Sequence, residues 1–402
     1  MEQTVIFTDV EKQRGFFSVI DNKLHLASFD TQNKRDMDKI FIGKITNIMP
    51  NLKAAFVEYQ KGVSGFLPLS AKELKELKCN TFLPVQVVKD AVKTKEAVLS
   101  RELSFMGLFC IVTSNPGGIR FSKKLSVELQ ESIKENLQPF IDPDLTYIIR
   151  TNAAVLWTDE TETDMIEKSS LEFLIKEAKE LSRQLKDLLA KAESRTMYSL
   201  MYSGSSFYIS QLSKIDLTQA ARIVTDSKEE FDLISQSLPK HLLSKLSLYE
   251  DPSFPLQALH GLKGKLQEAV NRTVWLRSGG YLVIEPTEAL TVIDVNSGKN
   301  IKKMSKAALC KLTNQEAAEI IPYILTSRNI TGIILVDFIS TGSKKEDDKL
   351  LKQLRILTAK DHVKTDVVDI TPLGLIEITR QKKDIPLQDQ LREVGIYEAI
   401  KS

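Results

Sequence analysis

The chain has 402 residues, 42% hydrophobic and 27% charged, with a formal net charge of +2, an ordinary globular composition too long for a single core. It contains no apolar run near the ~20 residues a membrane helix needs, and the start MEQTVIFTDVEKQR has no secretory pattern. Three scattered cysteines (Cys79, Cys110, Cys310) suggest neither a disulfide framework nor a zinc site, so a reduced, cytoplasmic protein of two to four domains is expected.

Residues 1–37 carry short strand-like runs, VIFTD, FFSVI and LHLASF, and end in a polar stretch. Across 38–104 the runs are β-branched and broken by Pro, Asn and Gly every eight to ten residues, which predicts small antiparallel strands closing on themselves. Residues 105–205 lead into the strongest helical signal, with Leu171, Leu174, Ala178, Leu181, Leu185 and Leu188 at spacings of three and four and a charged opposite face read as solvated. A mixed segment spans 206–274. Strands and helices alternate over 275–390, which predicts a layered α/β domain, and 391–402 reads as a short polar tail.

Two strand ends carry candidate chemistry. In GGYLVIEPTEALTVIDVNSGKN the run through Val292 and Ile293 ends on Asp294 and Asn296; in TGIILVDFIST a similar run ends on Asp337. If the two strands share a sheet with their ends together, the carboxylates converge and repel unless a cation relieves them. Mg2+ needs only one or two protein carboxylates and suits phosphodiester hydrolysis. From the residues alone, a strand-end aspartate that caps or forms a turn is the favoured reading. The histidines (His25, His241, His260, His362) are dispersed and show no metal spacing.

Phe56 and Phe66 lie among small and basic residues in the strand-rich second segment. On an OB barrel such aromatics stack bases while lysines follow phosphates, but spacing alone favours both as core. The stretch GKITNIMPNLKAAFVEYQKGVSGFLPLS closely resembles the S1 type of RNA-binding OB domain.

Taken in order, GFLPLS, KTKEAVLSRELSFMG, YIIRTNAA, SGGYLVIEPTEALTVIDVNSGK, TNQEAAEII, GIILVDFI and LGLIEITRQK resemble the ribonuclease E/G family over nearly the whole chain. The resemblance implies a multidomain α/β fold. A split RNase H-like subdomain (1–37 and 206–274) would hold an inserted S1-like OB barrel (38–104) and a 5′-sensor domain (105–205). A DNase I-like α/β catalytic domain (275–390) would follow. It also implies endonucleolytic cleavage of single-stranded RNA with Mg2+ (or Mn2+) to 5′-phosphate and 3′-hydroxyl products, in rRNA or tRNA processing or mRNA decay. Asp294 and Asp337 match the family's metal-binding carboxylates and Asn296 its catalytic amide. Phe56, Phe66 and Lys95 match RNA-gripping positions. Arg150 and Thr151 match the pair that binds a 5′-monophosphate, and Lys364 stands where a well-studied branch has arginine, which weakens the expected sensing.

Other departures are Ser340, where many members have a second acid, and Pro322, which predicts a kink in an otherwise helical run. No cysteine follows Cys310, so the zinc-linked tetramer of some members is not expected, a monomer or a differently built homodimer is left open, and the resemblance leans to the compact, ribonuclease G-like type. A rival reading is a non-catalytic, ribosome-associated RNA-binding protein of the same fold. Retention of Asp294, Asn296 and Asp337 argues for the enzyme, since a pure binder has little use for paired anions beside an anionic ligand. A nucleotide-hydrolysing alternative is disfavoured by the lack of a G-x-x-x-x-G-K-[ST] loop.

Overall fold

The computed structural model describes residues 2–31, 34–91, 95–156, 164–298 and 305–401, without the side chains of 164–170 and 306. These form two compact units: Met1–Asp30, Ala221–Lys228 and Ser247–Ser402 make one, Thr31–Ala220 and Glu229–Leu246 the other.

In the first unit the strands Gln3–Val10, Gln13–Ile20 and Lys23–Phe29 run antiparallel. Two-residue turns join them, Glu11–Lys12 (φ 50° and 63°) and Asp21–Asn22 (φ 46° and 64°). Positive φ at both central residues matches the right-handed twist of the flanking strands, which is why such tight hairpins form here. Ala220–Thr225 and Leu246–Leu248 extend the same five-stranded sheet beyond Gln3–Val10. Ile6, Val10, Phe17, Val19 and Leu24 pack there with Leu256, Leu262 and Leu266.

Residues 391–401, expected as part of a tail, are instead structural. The helices Leu387–Glu393 and Tyr397–Lys401 bury Leu387, Leu391, Val394, Ile396 and Ile400 in that same core. Five large apolar side chains spaced by two to four residues make burial far more favourable than a solvated tail.

The rest of this unit is a six-stranded sheet ordered Thr273–Trp275, Tyr281–Pro286, Leu290–Asn296, Gly332–Asp337, Ile376–Arg380, Thr365–Ile370. The helices Lys306–Ser327 and Lys344–Thr358 pack on one face of it, against Leu282, Ile284, Ile293, Val295, Ile334, Val336, Ile376 and Ile378. The first of these helices continues through Pro322, whose missing N–H leaves one backbone bond unmade. At the far end, the fully buried Arg380 guanidinium is held by Asp361 (Nε to Oδ2, 2.7 Å) and by Asn329 Oδ1 (2.8 Å). Burial alone would raise the Asp361 carboxyl, but the arginine holds it below the usual carboxylate range.

The second unit contains a closed five-stranded barrel. Its strands are Ile40–Met49, Ala54–Gln60, Val63–Pro68, Ala97–Ser100 and Phe82–Lys89, and pairing of the last with Ile40–Met49 closes the ring. Ile45, Ala55, Val57, Leu67, Val85, Val87 and Leu99 fill its interior. A four-stranded sheet follows, ordered Gly118–Phe121, Thr146–Ile149, Cys110–Thr113, Ser104–Met106. The helix Asp164–Ala192 runs beside it with Leu171, Leu174, Ala178, Leu181, Leu185 and Leu188 all buried, as their spacing predicts. The architecture is therefore mixed α/β with an OB-like closed barrel and several separate sheets.

Candidate active site

Alternation along Leu290–Asn296 sends Thr291, Ile293 and Val295 into the helix-covered core. Asp294 and Asn296 must then point to the opposite face, because successive strand residues alternate sides. The neighbouring strand Gly332–Asp337 runs parallel, and its register sets Asp337 directly beside Asp294. Residues paired across strands share a face, so the two carboxylates stand side by side, about one strand spacing (~4.8 Å) apart at the backbone. Asn296 Nδ2 donates to Asp294 Oδ2 at 2.8 Å, fixing one carboxylate oxygen and leaving the other free to face solvent or ligand. Asp294 is half-buried and Asp337 exposed.

Glycines allow this hairpin end to close. A Cβ on Gly280 would lie 2.7 Å from the Asn296 carbonyl oxygen and 2.8 Å from Thr313. One on Gly298, which has φ of +65°, would lie 2.2 Å from the Gly279 carbonyl oxygen. On the other strand, the buried Asn314 clamps the segment just after Asp337. Its Nδ2 donates to the Ile339 carbonyl (2.7 Å) and its Oδ1 accepts from the Ile339 N–H (3.1 Å). Ser340 is exposed in this segment.

Among the described residues no cluster of three or more His, Cys, Asp or Glu side chains is placed to hold a metal ion. Two adjacent carboxylates with a neutral amide nonetheless fit a hard divalent cation that keeps water and substrate oxygens in its remaining positions.

In the second unit Phe56 and Phe66 are directly paired across neighbouring barrel strands, with ring centroids 6.1 Å apart at 72°. Both are half-exposed and absent from the barrel interior, so the alternative of two core phenylalanines does not hold. Lys95 is exposed, just ahead of the strand Ala97–Ser100 that pairs beside Phe66. Phe82, which sequence reading passed over, is 55% exposed and pairs with Lys44 on the same barrel.

Arg150 and Thr151 leave the end of Thr146–Ile149. Arg150 Nη2 donates to the Ser213 carbonyl (3.0 Å), and burial depresses its guanidinium while Glu177 and Cys110 work against that. The Thr151 and Ser122 hydroxyls lie 2.9 Å apart. Glu177, on the long helix, departs from the solvated charged face expected there. Its carboxylate accepts the backbone N–H groups of Leu108 (2.6 Å), Phe109 (2.9 Å) and Cys110 (2.9 Å), beneath the strand that leads to Arg150. Burial still raises its pKa despite those donors. Lys364 belongs to the first unit, where it is exposed and pairs with Asp366 at 3.2 Å.

The model of the family described as "Ribonuclease E/G family" matches residues 104–383. The chain belongs to the ribonuclease E/G family. Ribonuclease G of Haemophilus influenzae is 28% identical over 384 residues, covering 89% of this chain and 75% of the relative. Ribonuclease G of Escherichia coli K12 is 28% identical over 368 residues, 85% and 72% of the two chains. Ribonuclease E of a Nostoc species is 28% identical over 365 residues, 86% of this chain but 51% of its own length. Asn314, Glu177 and Ser122 bond to the candidate residues or to the segments beside them, which composition could not single out. Asn314 does fall within TNQEAAEII, but its clamp on Ile339 spans two elements and becomes legible only when they are packed.

Proposed function

We propose that this chain is an endoribonuclease that uses Mg2+, with Mn2+ as a substitute, to hydrolyse single-stranded RNA to 5′-phosphate and 3′-hydroxyl ends. The observation that carries the reading is the parallel register that sets Asp294 beside Asp337 on the uncovered sheet face, with Asn296 bonded to Asp294. Family membership and relatives named ribonuclease G and ribonuclease E support it.

Asp294 and Asp337 would hold the cation, which when bound offsets charge on the scissile phosphate and favours attack by water. Asn296 orients Asp294 with one amide hydrogen and keeps a second to donate to a phosphate oxygen. Water adds to phosphorus as the bond to the 3′-oxygen breaks. That oxygen leaves as a hydroxyl, and the phosphate stays on the 5′ side of the downstream fragment.

In this reading the barrel is an S1-like module gripping RNA through Phe56, Phe66 and Lys95, and Arg150 and Thr151 recognise a 5′-monophosphate. The sheet assembled from residues 3–29, 220–225 and 246–248 is the RNase H-like part, and residues from 275 form the DNase I-like catalytic part. The setting is cytoplasmic rRNA or tRNA maturation or mRNA decay, without a zinc-linked tetramer; no described helix is long and apolar enough to cross a membrane.

The test is incubation with a 5′-monophosphorylated single-stranded oligonucleotide, with and without Mg2+, and analysis of product ends. Cleavage that needs the ion and disappears in Asp294→Asn is expected. Tight binding without product in Mg2+ or Mn2+ would instead favour a non-catalytic RNA-binding protein.

A further inference from the structure

The same uncovered face carries an aromatic pair with no role in the chemistry above. Trp275 is 70% exposed, an unusual cost for the largest apolar side chain in a chain with two tryptophans. Its ring centroid lies 5.2 Å from that of Tyr281, with the planes at 54°. The register connects this pair to the carboxylates. Trp275 pairs with Tyr281, Tyr281 pairs with Asn296, and Asn296 bonds to Asp294, the neighbour of Asp337. Because paired strand residues share a face, all five side chains lie on one surface. Tyr281 stands about 5 Å and Trp275 about 10 Å from Asn296, one and two strand spacings away.

Resting on the nuclease reading, we infer that Trp275 and Tyr281 form a platform on which a base of the RNA stacks next to the scissile phosphate. The occupant follows from the chemistry of the row. A ligand bearing an anion at one end, held at the carboxylates through a cation, and a flat π-face within one or two strand spacings is a nucleotide of the substrate strand. Val283, Val292 and Leu335 share this face, but the row that runs from Trp275 and Tyr281 continues directly into the amide of Asn296 and the carboxylates of Asp294 and Asp337. Stacking on an aromatic is tolerant of base identity, since every base offers a π-face. The platform would therefore fix the strand's path and the position of the cut more than select a sequence.

The test uses the full chain with Trp157→Phe, which makes Trp275 the sole tryptophan. An unstructured, end-labelled RNA oligonucleotide is titrated in EDTA, so nothing is cut, while label anisotropy reports binding and tryptophan emission reports stacking. Quenching that follows the binding curve is expected. A further Trp275→Ala change should weaken binding about 5- to 100-fold, and Trp275→Phe should restore most of it. With Mg2+ the alanine variant should raise KM more than it lowers kcat and scatter the cleavage positions. Normal binding with unchanged emission and unchanged affinity in Trp275→Ala overturns the platform and leaves the nuclease reading intact. Failure of the parent protein to bind RNA at all removes both. Emission that instead tracks protein concentration, together with a dimer that Trp275→Ala dissociates in light scattering, assigns this face to a second copy and also overturns the inference.

Discussion

Replacing Asp337 by asparagine tests the paired-carboxylate site in two opposite directions. The side chain is exposed and asparagine has nearly the same shape, so packing is preserved and the change is one of charge. Asp294 sits beside it across parallel strands. Two unit charges about 5 Å apart repel by ~0.8 kcal/mol in bulk water and ~3 kcal/mol at an effective dielectric of 20. Exposure of one partner and half-burial of the other place this pair near the watery end, at about 1 kcal/mol. In EDTA the variant should therefore be more stable than the parent by about that much, a rise of ~2–4 °C for a unit of this size.

Mg2+ should reverse the order. A cation at ten times its dissociation constant stabilises the folded state by about 1.4 kcal/mol, and only the protein with both carboxylates should gain it in full. Differential scanning fluorimetry of the two proteins in EDTA and across a Mg2+ series reads both effects. Cleavage should fall roughly 10^2- to 10^3-fold with the lost charge stabilisation. Equal Mg2+ stabilisation of both proteins, or a variant that melts lower in EDTA, would refute the argument that this pair is a cation site.

Gly298→Ala should lower stability by at least ~1–3 kcal/mol, from backbone strain alone, and abolish cleavage, because its new methyl collides with the Gly279 carbonyl at the hairpin end that positions Asn296. The control Gly62→Ala, also at positive φ (+76°) but with nothing within 4 Å, should keep cleavage, and chemical denaturation with the oligonucleotide assay distinguishes the two. His25, in strand Lys23–Phe29, has its pKa lowered by burial, with Asp361 acting in the opposite sense, and its Nδ1 lacks a hydrogen-bond partner among the described residues. A depressed folded pKa means the unfolded chain binds the proton first, so stability should fall as pH drops below ~6.5, by at most about 1.4 kcal/mol per pH unit from this group. Unfolding curves from pH 7.5 to 5 check this, and His25→Gln should flatten the dependence.

The strand ends that carry the candidate site were readable before any coordinates from the apolar residues that lead into them. Ile293 to Asn296 alternates apolar and polar, and the run Ile333 to Val336 is continuously apolar up to Asp337, which is enough to place Asp294, Asn296 and Asp337 at strand ends. Whether the strands were neighbours, parallel and in register was not readable, since pairing is a long-range property that no local window contains. Trp275 escaped notice for the same reason: its significance lies in a chain of pairings across three strands. The C-terminal residues misled for a different reason. Two helices of seven and five residues are too short to show a helical period, and polar residues such as Gln388, Asp389, Arg392 and Glu393 mask the buried Leu387, Leu391 and Ile400. Glu177 shows the limit of reading a charged helix face as solvated, because three backbone donors contributed by a distant loop make its partial burial tolerable.

The hydrophobic core of the six-stranded sheet also fixes the alignment of its chemistry. A slip of one residue in Leu290–Asn296 would turn Ile293 and Val295 out to water and drive Asp294 into the space beneath the two helices. Ile293 is fully buried and Val295 nearly so, and exposing two such side chains costs about 3–6 kcal/mol. Burying an unpaired carboxylate adds several more. The same holds for Ile334 and Val336 on the adjoining strand, with Asp337 in the role of Asp294. Two strands whose registers are each locked by apolar side chains on one face must present their carboxylates together on the other. The repulsion between those carboxylates, about 1 kcal/mol by the reasoning above, is too small to shift either strand. The pair can therefore persist before any cation arrives, held by residues that never touch the substrate.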